Sequence, residues 1–282
     1  MTTGVVDVGG GMRGIYAAGI LDYCMMHHIR FDCCVGVSAG SANVASYMAG
    51  QEGRNYRYYQ EYALREEYMG MRNLLHTGSY INLPYVYGTL SNSGGENPLD
   101  FDALMANPAE MIVVATRAET GKAHYFTKAD LHRDDYRIFM ASCCVPGVNQ
   151  PFVLDGAPYF DGALSDPVPV EKAFAAGCDR VVLLLTKPAD IPRKPGKDRV
   201  LAAMIQREYP VAARQLRQRA QRYNAAVAAA KRYQAEGRLL ILSPEETFGV
   251  DTLKREGEPL RRLYRQGLLD GRRVLAWLGD AS

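Results

Sequence analysis

The chain has 282 residues, 48% of them apolar and 23% charged, with a formal net charge of +2; this ordinary globular balance excludes a disordered chain. The longest strongly apolar stretches, such as Val181–Leu185 and Gly14–Leu21, fall far below the roughly 18 residues of a membrane span. The opening Met-Thr-Thr-Gly-Val-Val-Asp has neither the basic nor the apolar region of a secretory leader, so the expectation is a cytoplasmic protein, at most peripheral to a membrane.

In chain order, Val5–Val8 is a short β-favouring run, Gly9-Gly10-Gly11 breaks it, and Gly14–His28 follows with mostly apolar, helix-compatible residues. A second strand, Cys33–Val37, runs straight into Ser38-Ala39-Gly40-Ser41-Ala42, a helix start made of small residues. Residues 50–105 hold eight of the eighteen tyrosines. They read as an insertion over the sheet, either a cap or lipid-facing rim, since tyrosine joins an apolar ring to a wet end, or a plain packed subdomain. Strands are then expected at Met111–Thr116 and His124–Phe126, a helix at Tyr136–Cys144, a hairpin of Pro151–Leu154 with Pro158–Phe160, and a strand at Val181–Thr186. Pro188–Lys197, with three prolines, is linker-like, and the helical tail beyond it contains one β-like run, Leu239–Leu242. Strands alternating with helices predict an α/β fold with a parallel or mixed sheet.

Charge divides the chain. Residues 1–186 carry 13 basic against 20 acidic side chains, and residues 187–282 carry 20 against 11, which is −7 against +9. The basic arginines recur along helical stretches as a solvated face does, and the tail is also a candidate for contact with anionic membrane, screened by salt. No nucleic-acid partner is expected. Four of the six cysteines are sequence neighbours, Cys33-Cys34 and Cys143-Cys144, with Cys24 and Cys178 isolated. That pattern has no zinc-like spacing and reads as free buried thiols, so no metal is expected.

Gly36-Val37-Ser38-Ala39-Gly40 matches GxSxG between a strand and a helix. A serine on so tight a turn needs glycine two residues before and two after to avoid clashes, and its hydroxyl is then exposed at the end of the strand. The alternative is a helix-capping serine. Gly9–Gly14 also opens a helix after a strand, and its bare N–H groups suit an anion: the oxyanion of a tetrahedral intermediate or a dinucleotide pyrophosphate. The dinucleotide use requires an acid at the far end of the second strand. The candidate, Asp32, lies at the near end, and Ser38 occupies the far one. The histidines, His27, His28, His76, His124 and His132, leave the last 150 residues without one. A serine activated directly by a carboxylate is therefore the economical reading. Asp155-Gly156 fits the hairpin turn, a common structural use of that pair, whereas Asp161 closes the return strand, where side chains converge on a site.

In this order, Gly9–Gly14, Gly36–Gly40 and Asp161-Gly162-Ala163, with Ala141-Ser142-Cys143-Cys144-Val145-Pro146-Gly147 before the aspartate, resemble the patatin-like phospholipase family over roughly residues 4–186. Asp166 stands where many members have Asn. The resemblance implies a mainly parallel central sheet sandwiched by helices, with a helical insertion and a helical C-terminal tail. The division expected is a catalytic core, 1–186, carrying the insertion at about 50–105, and a basic, mostly helical region, 187–282, packed on it. The resemblance further implies a serine hydrolase of fatty-acyl esters that needs no cofactor. Ser38 would be the nucleophile and Asp161 the base. Gly10 and Gly11 would stabilise the oxyanion, with Arg13 fixing the loop, and Gly9, Gly14, Gly36, Gly40 and Gly162 would support the motifs. The alternatives are a noncatalytic member that binds lipid or a protein partner and, less favoured, a nucleotide-binding oxidoreductase.

Overall fold

A computed structural model describes residues 1–279 of the chain. Strand β1 (Thr3–Asp7) leads through a 3-10 turn into α1 (Ile15–Met26), and β2 (Cys33–Val37) leads directly into α2 (Ala39–Met48). The tyrosine-rich insertion folds into α3 (Arg54–Gln60), α4 (Met71–Thr77), a π turn at Tyr85–Thr89 and α5 (Phe101–Ala106). Then follow β3 (Glu110–Arg117), β4 (Ala123–Phe126), α6 (Arg137–Cys143), β5 (Phe152–Leu154), β6 (Ala157–Asp161), α7 (Val170–Ala175) and β7 (Arg180–Leu184). The C-terminal region supplies α8 (Gly196–Ile205), the long α9 (Pro210–Ala235), β8 (Leu239–Leu242), α10 (Gly257–Asp270) and α11 (Arg272–Gly279).

All eight strands form one mixed sheet in the order β5-β6-β3-β2-β1-β7-β8, with β4 also on β3. The pairs among β3, β2, β1, β7 and β8 are parallel; those of β3 with β4 and β6, and of β5 with β6, are antiparallel. The central strands are apolar almost throughout because both faces are covered. Val5 and Cys34 point into the core shared with α1, α2, α6 and the insertion, while Val6, Cys33, Val35 and Val37 point into the core under α7 and α9.

Helix α1 is buried over most of its circumference, as a helix apolar on every side must be. The sheet covers one side and α10 the other, where Gly19 and Gly267 let the backbones touch: a Cβ on Gly267 would lie 2.1 Å from the Tyr16 carbonyl oxygen. Strand β7 ends two residues before the expected Thr186. Leu185 still donates its N–H to Leu242, but the Thr186 hydroxyl turns to the Gly9 carbonyl. All six cysteines are free and buried. No helix among the described residues is long and apolar enough to cross a membrane.

Candidate functional site

Ser38 sits between β2 and α2 at φ 56 and ψ −133, a conformation that costs an L-residue about 1–3 kcal/mol and persists only where neighbours enforce it. Here they do. A Cβ on Gly36 would lie 2.4 Å from the Ser41 Cα, and one on Gly40 would lie 2.4 Å from the Asp7 carbonyl oxygen, so both glycines are required by close approach. The Ser38 N–H donates to the Ser142 hydroxyl at 2.9 Å, which donates onward to the Val114 carbonyl at 2.6 Å. The Ser41 hydroxyl donates to the Ser38 carbonyl at 2.6 Å. Ser142, in α6, thus bolts the turn to β3.

Asp161 reaches the same point by register. β2 and β6 share one edge of β3, since β4 occupies the opposite edge at Val113–Thr116. β2 runs parallel and ends with Val37 opposite Val114, whereas β6 runs antiparallel and ends with Asp161 opposite Ala115. The two strands therefore meet end to end, and the residues at their tips face each other. The Asp161 carboxyl is buried, accepts the Ala163 N–H at 2.8 Å and lines the same cavity as Ser38. Burial raises it above the usual carboxylate range, against the lowering influence of Ser38, the Ala163 N–H, Arg219 and Arg193. Gly162 packs on β3, where a Cβ would lie 2.2 Å from the Val114 carbonyl oxygen.

The glycine loop crosses beside this junction. Gly9, Gly10 and Gly11 all have positive φ, which only glycine adopts freely. Gly9 donates its N–H to the buried Asp7 carboxylate at 2.8 Å, and Asn43 donates to the other oxygen at 2.8 Å. Burial raises Asp7 to about 6. The N–H groups of Gly10 and Gly11 donate to no acceptor among the described residues. Gly14 packs under the Tyr59 hydroxyl. Arg13 is buried beside Gly10, donates Nη2 to the Thr252 hydroxyl at 3.2 Å and leaves Nε without an acceptor; burial lowers its pKa to about 10.

Two cavities meet at Ser38. An apolar one of about 80 Å³ is lined by Tyr58, Tyr59, Tyr87, Leu83, Phe139 and Cys143. A larger one of about 470 Å³ is lined by Gly9–Gly11, Arg13 and Asp161 together with a cationic wall of Lys187, Arg193, Lys197 and Arg219. Asp155 lies away from both, exposed at the tip of the β5–β6 hairpin with φ 49. Asp32 sits at the N-terminal end of β2, where it accepts the Thr3 N–H. Asp166 accepts the Tyr125 hydroxyl. No histidine lines either cavity. No group of three His, Cys, Asp or Glu among the described residues could hold a metal ion. Sequence reasoning placed Ser142 in the motif before Asp161 without a role, and it missed Thr252 and the cationic wall. The one available signal for the wall was the basic excess after residue 187.

A model of the patatin-like phospholipase family matches residues 8–174, and one for a domain of unknown function, DUF6363, matches residues 209–281. The uncharacterized protein YjjU of Escherichia coli (strain K12) is 28% identical over 192 residues, covering 66% of this chain and 52% of that protein. The chain thus spans about half the length of that curated relative. The crystal structure of VipD from Legionella pneumophila superposes with a TM-score of 0.50 at 13% identity, over 98% of this chain and 67% of that one, a likeness of fold.

Proposed function

The chain belongs to the patatin-like phospholipase family, and from that premise we propose that it is a serine acyl hydrolase cleaving fatty-acyl ester bonds of lipids or phospholipids. The observation that supports this reading is the convergence of Ser38 and the buried Asp161 on one cavity at the meeting point of β2 and β6. Asp161 takes the Ser38 proton as Oγ attacks the ester carbonyl, and the N–H groups of Gly10 and Gly11 donate to the oxyanion. Collapse expels the alcohol, which takes the proton back from Asp161 and leaves an acyl-Ser38 ester. Water, deprotonated by Asp161, then attacks that ester, and Asp161 returns the proton to Ser38 Oγ as the fatty acid is released. The route uses no metal or cofactor. Arg13 packs over Gly10 and ties the loop to Thr252. The reading divides the chain into a catalytic core, 1–186, and a basic region, 187–282, packed on it, and the two family matches support that division.

The test is hydrolysis of short- and medium-chain p-nitrophenyl esters by wild type, Ser38→Ala, Asp161→Asn and Asp155→Asn. Ser38→Ala and Asp161→Asn should each lose at least about 10³-fold in kcat/KM, while Asp155→Asn stays near wild type. If Asp155→Asn is the dead variant, the base is misassigned. Wild-type turnover equal to that of Ser38→Ala on every ester would replace the hydrolase with a lipid- or partner-binding role.

A further inference from the structure

The two cavities at Ser38 differ in chemistry as well as size. The apolar one is walled by tyrosine rings and aliphatic side chains, and the Arg54 guanidinium at its edge is satisfied by Ser46, Ser91 and the Asn97 carbonyl. Its lining contains no carboxylate. The larger cavity is lined by five cationic side chains, Arg13, Lys187, Arg193, Lys197 and Arg219, against three carboxylates. Those carboxylates are largely engaged. Asp198 accepts from both Arg193 and Arg219, one negative charge between two positive ones. Asp251 accepts the N–H groups of Leu253 and Lys254 at 2.8 and 2.9 Å, and Asp161 accepts the Ala163 N–H at 2.8 Å. Lys187 has no ion-pair partner among the described residues, and the buried Arg13 Nε has no acceptor.

Like charges crowded in a partly desolvated space raise the free energy of the folded protein unless an opposite charge joins them. The crowding shows in Lys187, which burial and then its neighbours Arg13, Arg193, Arg219 and Lys197 depress to about 8. An anion in this chamber relieves that repulsion and gives Arg13 Nε its acceptor. Phosphate suits the wall, since guanidinium and ammonium donors converge on it from several directions.

An ester bound at Ser38 has two sides, and the site offers one apolar chamber and one cationic chamber. We infer that the substrate is a single-chain acyl ester whose alcohol portion carries a phosphate group, with the acyl chain among the tyrosines and the phosphate held by Arg13, Lys187, Arg193 and Lys197. This rests on the acyl-hydrolase reading. It adds that residues after 186 supply all of that wall except Arg13, so head-group selection belongs to the C-terminal region. The apolar cavity, at about 80 Å³ against about 470 Å³, is the smaller of the two and favours one chain over two.

Two measurements test this. The first compares kcat/KM on octanoyl-glycerol phosphate and octanoyl-glycerol, both below their micellar concentrations. Wild type should prefer the phosphate ester, and Lys187→Met should cut that preference about ten- to a hundredfold, mainly through KM, as loss of a charge-assisted contact does. Arg133→Met, which removes a cation remote from the cavity, should leave the preference intact. The second is calorimetric binding to the Ser38→Ala protein of decyl phosphate, decanol and inorganic phosphate. Decyl phosphate should bind at least about tenfold tighter than either, and adding Lys187→Met should weaken it alone. Equal binding of decyl phosphate and decanol, or a phosphate preference that survives Lys187→Met, overturns the inference. Inorganic phosphate binding as tightly as decyl phosphate makes this a free-anion site and overturns the head-group assignment. If wild type hydrolyses no ester while decyl phosphate still binds through Lys187, the hydrolase reading falls and the amphiphile site stands.

Discussion

At Ser38, strain and the proposed chemistry occupy the same atoms. The backbone is held at φ 56 by Gly36, Gly40 and the hydrogen-bond chain through Ser142 to Val114, so the hydroxyl is aimed before any substrate arrives. Asp161 is conditioned differently. Burial raises its pKa above the ordinary 3.8, and a base with a raised pKa loses its charged form at higher pH than a free aspartate. For a neutral ester, kcat/KM should therefore fall on the acidic side with an apparent pKa above 3.8. A profile from pH 3 to 9 checks this, and an acid limb at or below 3.8 would contradict the assignment of Asp161 as base.

Helices meet at another buried carboxylate. Asp22 in α1 accepts the Tyr264 hydroxyl of α10 at 2.6 Å and the Gly53 N–H before α3 at 3.2 Å, and burial raises it to about 6. An acid raised on folding favours the folded state when protonated. Its stabilisation is complete below pH 3.8 and is lost as pH rises to about 6. Asp22→Asn keeps an acceptor for Gly53 and removes the titration. The stability of this variant relative to wild type should improve between pH 3.5 and 7 by up to roughly 3 kcal/mol. Urea unfolding at the two pH values measures this, and an equal gap at both would refute it. The tyrosine-rich insertion was open to two readings, rim or packed subdomain. Tyr58, Tyr59 and Tyr87 are buried and line the apolar cavity, and Arg54 ties α3 to the Ser91–Pro98 loop through Ser91, Asn97 and Pro98. The rings thus line the apolar cavity that reaches Ser38.

Across the whole molecule, the C-terminal region is part of the core's architecture: β8 extends the sheet beside β7, and α10 seals α1. Because a Cβ on Gly267 would lie 2.1 Å from the Tyr16 carbonyl, Gly267→Ala must push α10 away and should cost about 1–3 kcal/mol. Gly94→Ala, which meets nothing within 4 Å, should leave the melting temperature unchanged, and equal melting temperatures for the two variants would refute the contact. The central strands were legible in the sequence because a strand buried on both faces is a continuous apolar run; Cys33–Val37 and Leu239–Leu242 match to the residue. The serine turn was legible too, since a close approach of backbones admits glycine alone and so leaves a pattern in the sequence. Asp161 could be preferred to Asp155 from local turn chemistry, but its meeting with Ser38 depends on β6 joining the edge of β3 that β2 vacates. Pairing between distant strands leaves no mark on nearby residues. The cationic wall is the clearest case. Periodicity shows that a helix carries arginines but not which face turns inward, and only tertiary packing brings Arg193 just before α8, Lys197 of α8 and Arg219 of α9 to one cavity with the glycine loop.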